Sequence, residues 1–161
     1  MKKIFIILML LFFVTTVYAR VPKRPLVQIA PKASLYIGSV RFGIGAEVIF
    51  NPLRNIGIRF DATEISFGEG GAVFSLNQGA GFDALIYLPM SGMQPYVHAG
   101  FGLTANGGTS FSIRGGIGAD FVMNKKLTFF AEPGIMIVDQ GAADTDFVFR
   151  LSGGAKFGIL K

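Results

Sequence analysis

The feature that most constrains the fold of this chain is a period-two alternation of apolar and polar residues, which recurs in segment after segment from residue 31 onwards. In the last of these segments, Phe149, Leu151 and Phe157 share one parity. Arg150 and Ser152 share the other. Because successive side chains of a β-strand point to opposite faces, each segment predicts a strand with one apolar and one polar face.

Eight segments carry this alternation, and no segment with helical periodicity separates them. They cover residues 31–39, 41–50, 56–67, 74–86, 95–103, 110–122, 127–137 and 147–160. Since the connections are short and rich in turn-forming residues, neighbouring segments are expected to pair as antiparallel hairpins. Loss of parity near Glu64 and Ile65 predicts a bulge or the mouth of a barrel. Pro133, which has no N–H to donate, predicts a second bulge.

Antiparallel strands leave unpaired edges unless the sheet closes, and closure is required in a bilayer because lipid offers no hydrogen-bond partner to a free edge. The segments are close to the roughly 9 to 11 residues that a tilted strand needs to cross the hydrocarbon. We therefore predict an all-β fold, an eight-stranded antiparallel up-and-down transmembrane β-barrel.

Composition predicts which face points outward. Bulky Phe, Ile, Leu and Val occupy the apolar parity almost without interruption, as expected for a surface in lipid. Small residues and both signs of charge occupy the polar parity, as expected for the narrow interior of a small barrel. The predicted polar network of the lumen comprises Lys32, Arg41, Glu47, Arg59, Asp61, Asp83, His98, Arg114, Asp120, Glu132, Arg150 and Lys156.

The same alternation is compatible with a second fold, a soluble periplasmic β-barrel whose apolar parity lines a cavity for an apolar ligand. Parity alone does not separate the two, whereas the nearly uninterrupted apolar face favours the membrane barrel.

The N-terminus predicts export. Lys2 and Lys3 precede an apolar run over residues 4–14 that is too short to span a membrane, and the sequence at Ala19 suits cleavage by a signal peptidase. We expect a signal peptide over residues 1–19, a flexible basic leader over residues 20–30 and a barrel domain over residues 31–161. The expected location is the bacterial outer membrane.

Few residues suggest chemistry. Cysteine is absent, which excludes thiol nucleophiles and thiolate metal sites, and without Lys2 and Lys3 the formal net charge of +5 falls to +3, too little to suggest nucleic-acid binding. His98 is the sole histidine. It would support a lipid-modifying hydrolase if it lay beside a serine and an acid at the membrane face, but its parity places it in the lumen. We expect no enzymatic activity, no cofactor and no metal site.

Five stretches of the predicted strands carry a resemblance to a known family: FGIGAEV at 42–48, NPLRNIGIRF at 51–60, QPYVHAGFGL at 94–103, RGGIGADF at 114–121 and LSGGAKF at 151–157. In these stretches the chain resembles the small outer-membrane β-barrel proteins of the OmpA transmembrane-domain and OmpX type, with a porin-like fold. The resemblance implies termini in the periplasm, contact with outer-membrane lipid, assembly by the barrel-assembly machinery, and a role in envelope structure or surface interaction.

The chain departs from this family in three respects. It has no Trp and four Tyr, its last two residues are Leu160 and Lys161 rather than an aromatic residue, and its expected extracellular turns are short. Adhesion through long loops is therefore not expected, and no extracellular or periplasmic partner is indicated.

Overall fold

A computed structural model of the chain describes residues 23–37, 41–68, 71–75, 81–88, 90, 93–105, 109–139 and 145–160. The predicted signal peptide over residues 1–19 and the beginning of the predicted leader lie outside these ranges. In the ranges described, no helix is long and apolar enough to cross a membrane.

The described elements are strands, and each begins and ends within a few residues of the alternating segments. They are β1 (Val27–Ile37), β2 (Arg41–Leu53), β3 (Ile56–Gly68), β4 (Gly71–Ser75), β5 (Gly81–Tyr87), β6 (Met93–Ala105), β7 (Thr109–Val122), β8 (Leu127–Asp139) and β9 (Thr145–Leu160). Every pairing between them is antiparallel.

These strands form one closed barrel. The sheet order is β2-β1-β9-β8-β7-β6-β5-β3-β4, and a further pairing of β2 with β3 closes the ring. Both β4 and β5 pair with β3, β4 beside its end and β5 beside its beginning, so the two short strands share one position in the wall. With that position counted once, the predicted eight-stranded antiparallel barrel is confirmed.

The two ends of the barrel differ in which parts of the chain they contain. At one end, β1 begins, β9 ends, and the turns at Arg54 and Asn55 and at Asn124–Lys126 reverse the chain. We call this end the terminal mouth, and the opposite end the far mouth.

Burial alternates along the strands as the pattern predicts. In β1, the side chains of Gln28 and Lys32 are buried while those of Ile29 and Leu35 are exposed. The same alternation runs through β5 and β8. The polar parity therefore faces the interior, and the apolar parity covers the outside of the barrel.

One predicted irregularity is present and one is absent. Ala46 pairs with Thr63 whereas its neighbour Glu47 pairs with Asp61, which is a bulge in β3 close to the predicted loss of parity. The prediction of a bulge at Pro133 was wrong, because the β7–β8 register continues unchanged across this position. Pro133 pairs with Leu151 of β9, so the strand tolerates its missing N–H without an inserted residue.

The N-terminal boundary also differs from the expected one. Strand β1 begins at Val27, and residues 23–26 pack against the terminal mouth, although residues 20–30 were expected to form a flexible leader. The cause is a set of contacts made by Arg24, which are described below.

Candidate functional site

The predicted lumen residues converge in the interior of the barrel. All of them except Arg41 are buried, and the side chain of Arg41 lies outside the part of the chain that the structure describes. The buried members are Lys32, Glu47, Arg59, Asp61, Asp83, His98, Arg114, Asp120, Glu132, Arg150 and Lys156. Their ion pairs form two clusters, one across the middle of the barrel and one at the terminal mouth.

Arg59 is a hub of the middle cluster. Its guanidinium lies 2.6 Å from a carboxylate oxygen of Asp83 and 2.5 Å from one of Glu132. Glu47 lies 3.5 Å away. Because one planar guanidinium carries five donors, arginine can join several carboxylates at once.

Asp61 is the matching acceptor hub. Its Oδ2 atom lies 2.5 Å from Nζ of Lys32, 3.2 Å from Arg114 and 3.5 Å from Arg150. Arg150 also donates to Glu132 at 3.0 Å. The cations and carboxylates of the middle cluster thus alternate in one connected network.

His98 lies inside this network. Its Nδ1 is 3.2 Å from the guanidinium of Arg59, which can only donate, so Nδ1 accepts. Its Nε2 is 3.4 Å from Glu132, and the hydroxyl of Tyr96 donates to the same carboxylate at 2.9 Å. The side-chain partners of the histidine are therefore a cation and an acid, both buried in the lumen.

Glycines make room for these large side chains. A Cβ atom on Gly118 would lie 2.6 Å from a ring carbon of Tyr96, and one on Gly116 would lie 2.7 Å from Nε2 of His98. Close packing therefore explains Gly116 and Gly118 of β7, in agreement with the small residues expected on the polar parity.

The second cluster lies at the terminal mouth. Asp120 accepts from Lys156 at 2.7 Å and from Arg24 at 2.6 Å. The ammonium of Lys156 lies 4.5 Å from the ring centre of Tyr96, and the guanidinium of Arg24 lies 3.4 Å from that of Tyr87. Both cations are therefore held by a carboxylate and by aromatic faces.

Arg24 holds the four described residues before β1 against the terminal mouth. We call residues 23–26 the strap. Leu26 donates through its N–H to the carbonyl of Leu160 at 2.7 Å, and the side chain of Asn51 donates to the carbonyl of Pro25 at 2.9 Å. Arg24 also donates to Gln94. The strap, which precedes β1, is therefore hydrogen-bonded to the end of β9, to β2 and to the beginning of β6.

Sequence reasoning missed the strap residues because Lys23 and Arg24 have the composition of a solvated leader. The available signal was Asp120, an acid near the end of β7 that lay too far from the middle of the barrel to join the main cluster. In the described part of the chain, no group of three or more His, Asp or Glu side chains has a geometry that would hold a metal ion.

Comparisons with known proteins bear on the fold. No protein-family model matches the chain, and no curated protein is significantly similar to it. A solved structure described as "De novo design of transmembrane beta-barrels" superposes on it with a TM-score of 0.56 and 10% identity, covering 87% of this chain and 100% of that chain. The resemblance to the OmpA and OmpX group stays a prediction, whereas the chain is similar in fold to a transmembrane β-barrel.

Proposed function

We propose that this chain is a non-enzymatic outer-membrane β-barrel protein with a closed, salt-bridged lumen, and that it serves envelope structure or surface interaction. The observation that carries the proposal is the inverted arrangement of side chains: charges fill the interior, and large apolar side chains cover the outside. Such an arrangement is stable where the surroundings are apolar.

The apolar belt runs around the whole barrel. Ile117 is 62% exposed, far more than an isoleucine in the core of a water-soluble protein. Large exposed apolar side chains occur on every long strand, among them Leu35 of β1, Ile44 of β2, Phe60 of β3, Phe82 of β5, Val97 of β6, Ile113 of β7, Ile135 of β8 and Leu151 of β9. A continuous apolar surface of this kind marks contact with a membrane or a partner, and its extent around a closed barrel favours lipid.

Phenylalanines form a ladder across part of this belt. The ring centres of Phe60 and Phe82 are 5.0 Å apart, and that of Phe101 lies 6.1 Å from Phe82. Phe111 continues the row at 6.1 Å from Phe101. Aromatic pairs of this kind stabilise neighbouring strands and present a smooth apolar face to acyl chains.

The interior argues against a soluble carrier of an apolar ligand. Such a carrier needs an apolar cavity, whereas Arg59 and Glu132 meet across the middle of this barrel at 2.5 Å. Side chains from opposite walls are in contact there, which supports a closed lumen rather than a pore.

The position of His98 argues against a lipid-modifying hydrolase. An enzyme that attacks membrane lipid needs its general base where the lipid is, but His98 is 4% exposed and faces the lumen. Its neighbours Arg59 and Glu132 give it a structural role in the ion network.

The proposed partners follow from the same surface. The apolar belt would contact outer-membrane lipid, and strand-by-strand assembly in that membrane would require the barrel-assembly machinery. The terminal mouth, where the described chain begins and ends, would face the periplasm, as in the proteins that the sequence resembles.

Fractionation and gel mobility test this proposal. The chain is expressed in a Gram-negative host, inner and outer membranes are separated, and the protein is run on a gel in detergent with and without boiling. A strand-rich species in the outer membrane that migrates differently after boiling is expected, because a closed barrel resists detergent until heated. A soluble periplasmic species with no change in mobility would contradict it.

A further inference from the structure

A cavity of about 300 Å³ lies at the terminal mouth between the strap and the β7–β8 turn. Its volume is at the lower end of the range for small-molecule sites. Basic side chains from two separate parts of the chain line it: Lys23 and Arg24 of the strap, and Lys125 and Lys126 of the turn. No acidic side chain is among its described lining residues.

The polar groups beneath these cations add further donors. Gln94 accepts from Arg24 through its Oε1, and Gln28 accepts from Asn51 through its Oε1. Both amides are buried, and the group that each can still offer is an NH2 donor. The floor of the cavity therefore favours an acceptor-rich ligand.

Arg24 contributes a largely buried guanidinium to the wall of the cavity. Its side chain is 6% exposed, and its terminal nitrogens donate to Asp120 and Gln94. Its Nε–H is buried and has no hydrogen-bond partner in the described part of the chain. A buried donor without an acceptor costs free energy. The guanidinium of Arg24 therefore has hydrogen-bonding capacity that Asp120 and Gln94 leave unused.

Charge also remains uncompensated here. Asp120 is the carboxylate for both Arg24 and Lys156, so this group of three carries one net positive charge before the three lysines of the cavity are counted. The lysines of the turn are placed by its backbone, because Asn124 accepts from the N–H of Lys126 at 2.8 Å and Gly158 donates to the carbonyl of Lys126 at 2.8 Å.

We propose that this cavity binds a phosphate-bearing anion. A phosphate group has enough acceptor oxygens to meet donors from the strap, the turn and the cavity floor together, and both lysine and arginine are common phosphate ligands. Val122, an exposed apolar side chain at the end of β7, also lines the cavity, so the ligand is either a free phosphate or the headgroup of an anionic lipid.

The test uses the folded protein in micelles of a neutral detergent, at constant ionic strength set by chloride. Inorganic phosphate is titrated in one arm, and short-chain phosphatidylglycerol in the other, with phosphatidylcholine as a zwitterionic comparison. Backbone amide resonances of Lys126 and Leu127 and the side-chain amide of Gln94 report binding. Saturable shifts with phosphate alone would support the proposal with a soluble ligand, and saturable shifts with phosphatidylglycerol alone would support it with a lipid.

Two variants distinguish specific binding in this cavity from nonspecific attraction of anions to a basic surface. Lys126→Gln removes a lining cation, and Arg54→Gln removes one charge from the same mouth without altering this cavity. We expect Lys126→Gln to weaken binding about tenfold and Arg54→Gln to change it less than about twofold. Equal weakening by both variants, or no saturable shift with either ligand, would overturn the proposal. Altered gel mobility on boiling confirms beforehand that each variant is folded.

Discussion

Arg59 and Glu132 stand on opposite walls of the barrel, on β3 and β8, and their side chains meet at 2.5 Å. Three of the eight wall positions lie between the two strands in either direction around the ring. This pair therefore spans the full width of the lumen and ties together strands that share no backbone hydrogen bonds.

Replacing Glu132 with Gln should destabilise the barrel by about 3 to 5 kcal/mol, because Arg59 and Arg150 would lose a shared buried carboxylate. Urea unfolding of the folded protein in detergent measures the change. Ser152→Ala is the matched control, since it removes a neutral lumen hydrogen bond to Ser34 and should cost about 1 kcal/mol. Equal losses for the two variants would mean that the ion network contributes nothing beyond ordinary hydrogen bonding.

Steric limits in the lumen can be tested on one strand. Gly118→Ala should cost about 1 to 3 kcal/mol, because the added Cβ would overlap the ring of Tyr96. Gly115→Ala, which faces the other way on β7 and meets nothing closer than 3.4 Å, should change the unfolding free energy by less than about 0.5 kcal/mol. If alanine were tolerated equally at both positions, the close packing around Tyr96 would be refuted.

The depth dependence of charge tests the membrane assignment. Ile117→Arg places a charge in the middle of the apolar belt and should cost about 2 to 4 kcal/mol in lipid vesicles, whereas Met123→Arg beside the turn should cost no more than about 1 kcal/mol. Unfolding in vesicles is compared with unfolding in detergent for both variants. Similar costs at the two depths would argue that the belt does not lie in hydrocarbon.

The strap should contribute measurable stability. Arg24→Ala removes the donors to Asp120 and Gln94 and the contact with Tyr87, and we expect a loss of about 1.5 to 3 kcal/mol with faster hydrogen exchange at the Leu26 N–H. Arg54→Ala, a charge loss at the same mouth, should stay within about 0.5 kcal/mol. Unchanged exchange at Leu26 in Arg24→Ala would show that Arg24 does not hold the strap.

A closed lumen predicts the absence of conductance. The protein reconstituted in a planar bilayer should give no steady current steps, because Arg59 and Glu132 fill the width of the interior. Insertion is verified separately by protease protection and by gel mobility. Regular ohmic steps of one size from verified insertions would contradict the closed lumen and favour an open pore.

The fold was largely predictable from the sequence because a strand's side-chain period is two, and the chain keeps this period with few breaks. Glu47 and Arg114 could be placed on the inner face from parity alone. Their partners could not, because the stagger of the strands around the barrel decides which charges share a level. For this reason Arg59 reaches Glu132, 73 positions away, in addition to the nearer acids Asp83 and Glu47.

Three other features could not be predicted from the alternation of apolar and polar residues. The sequence assigned Arg24 to the leader, because its partner Asp120 lies 96 positions away in the chain and no local pattern connects the two residues. Pro133 keeps its register because the neighbouring pairs on either side preserve it. The fourth alternating segment is divided into β4, which pairs with the end of β3, and β5, which pairs with its beginning. The sequence of neither short strand predicts this division.

The pairing of β1 with β9 has a consequence for the order of assembly. Residues of the first and last strands are neighbours, as in Leu35 opposite Leu151, so the ring is completed by the contact of longest sequence separation in the wall. Contacts of this kind form late because the intervening chain must first lose its freedom. Until β9 pairs with it, β1 keeps an open edge to which a strand of another chain could add, so this exposed edge persists until the last strand has folded.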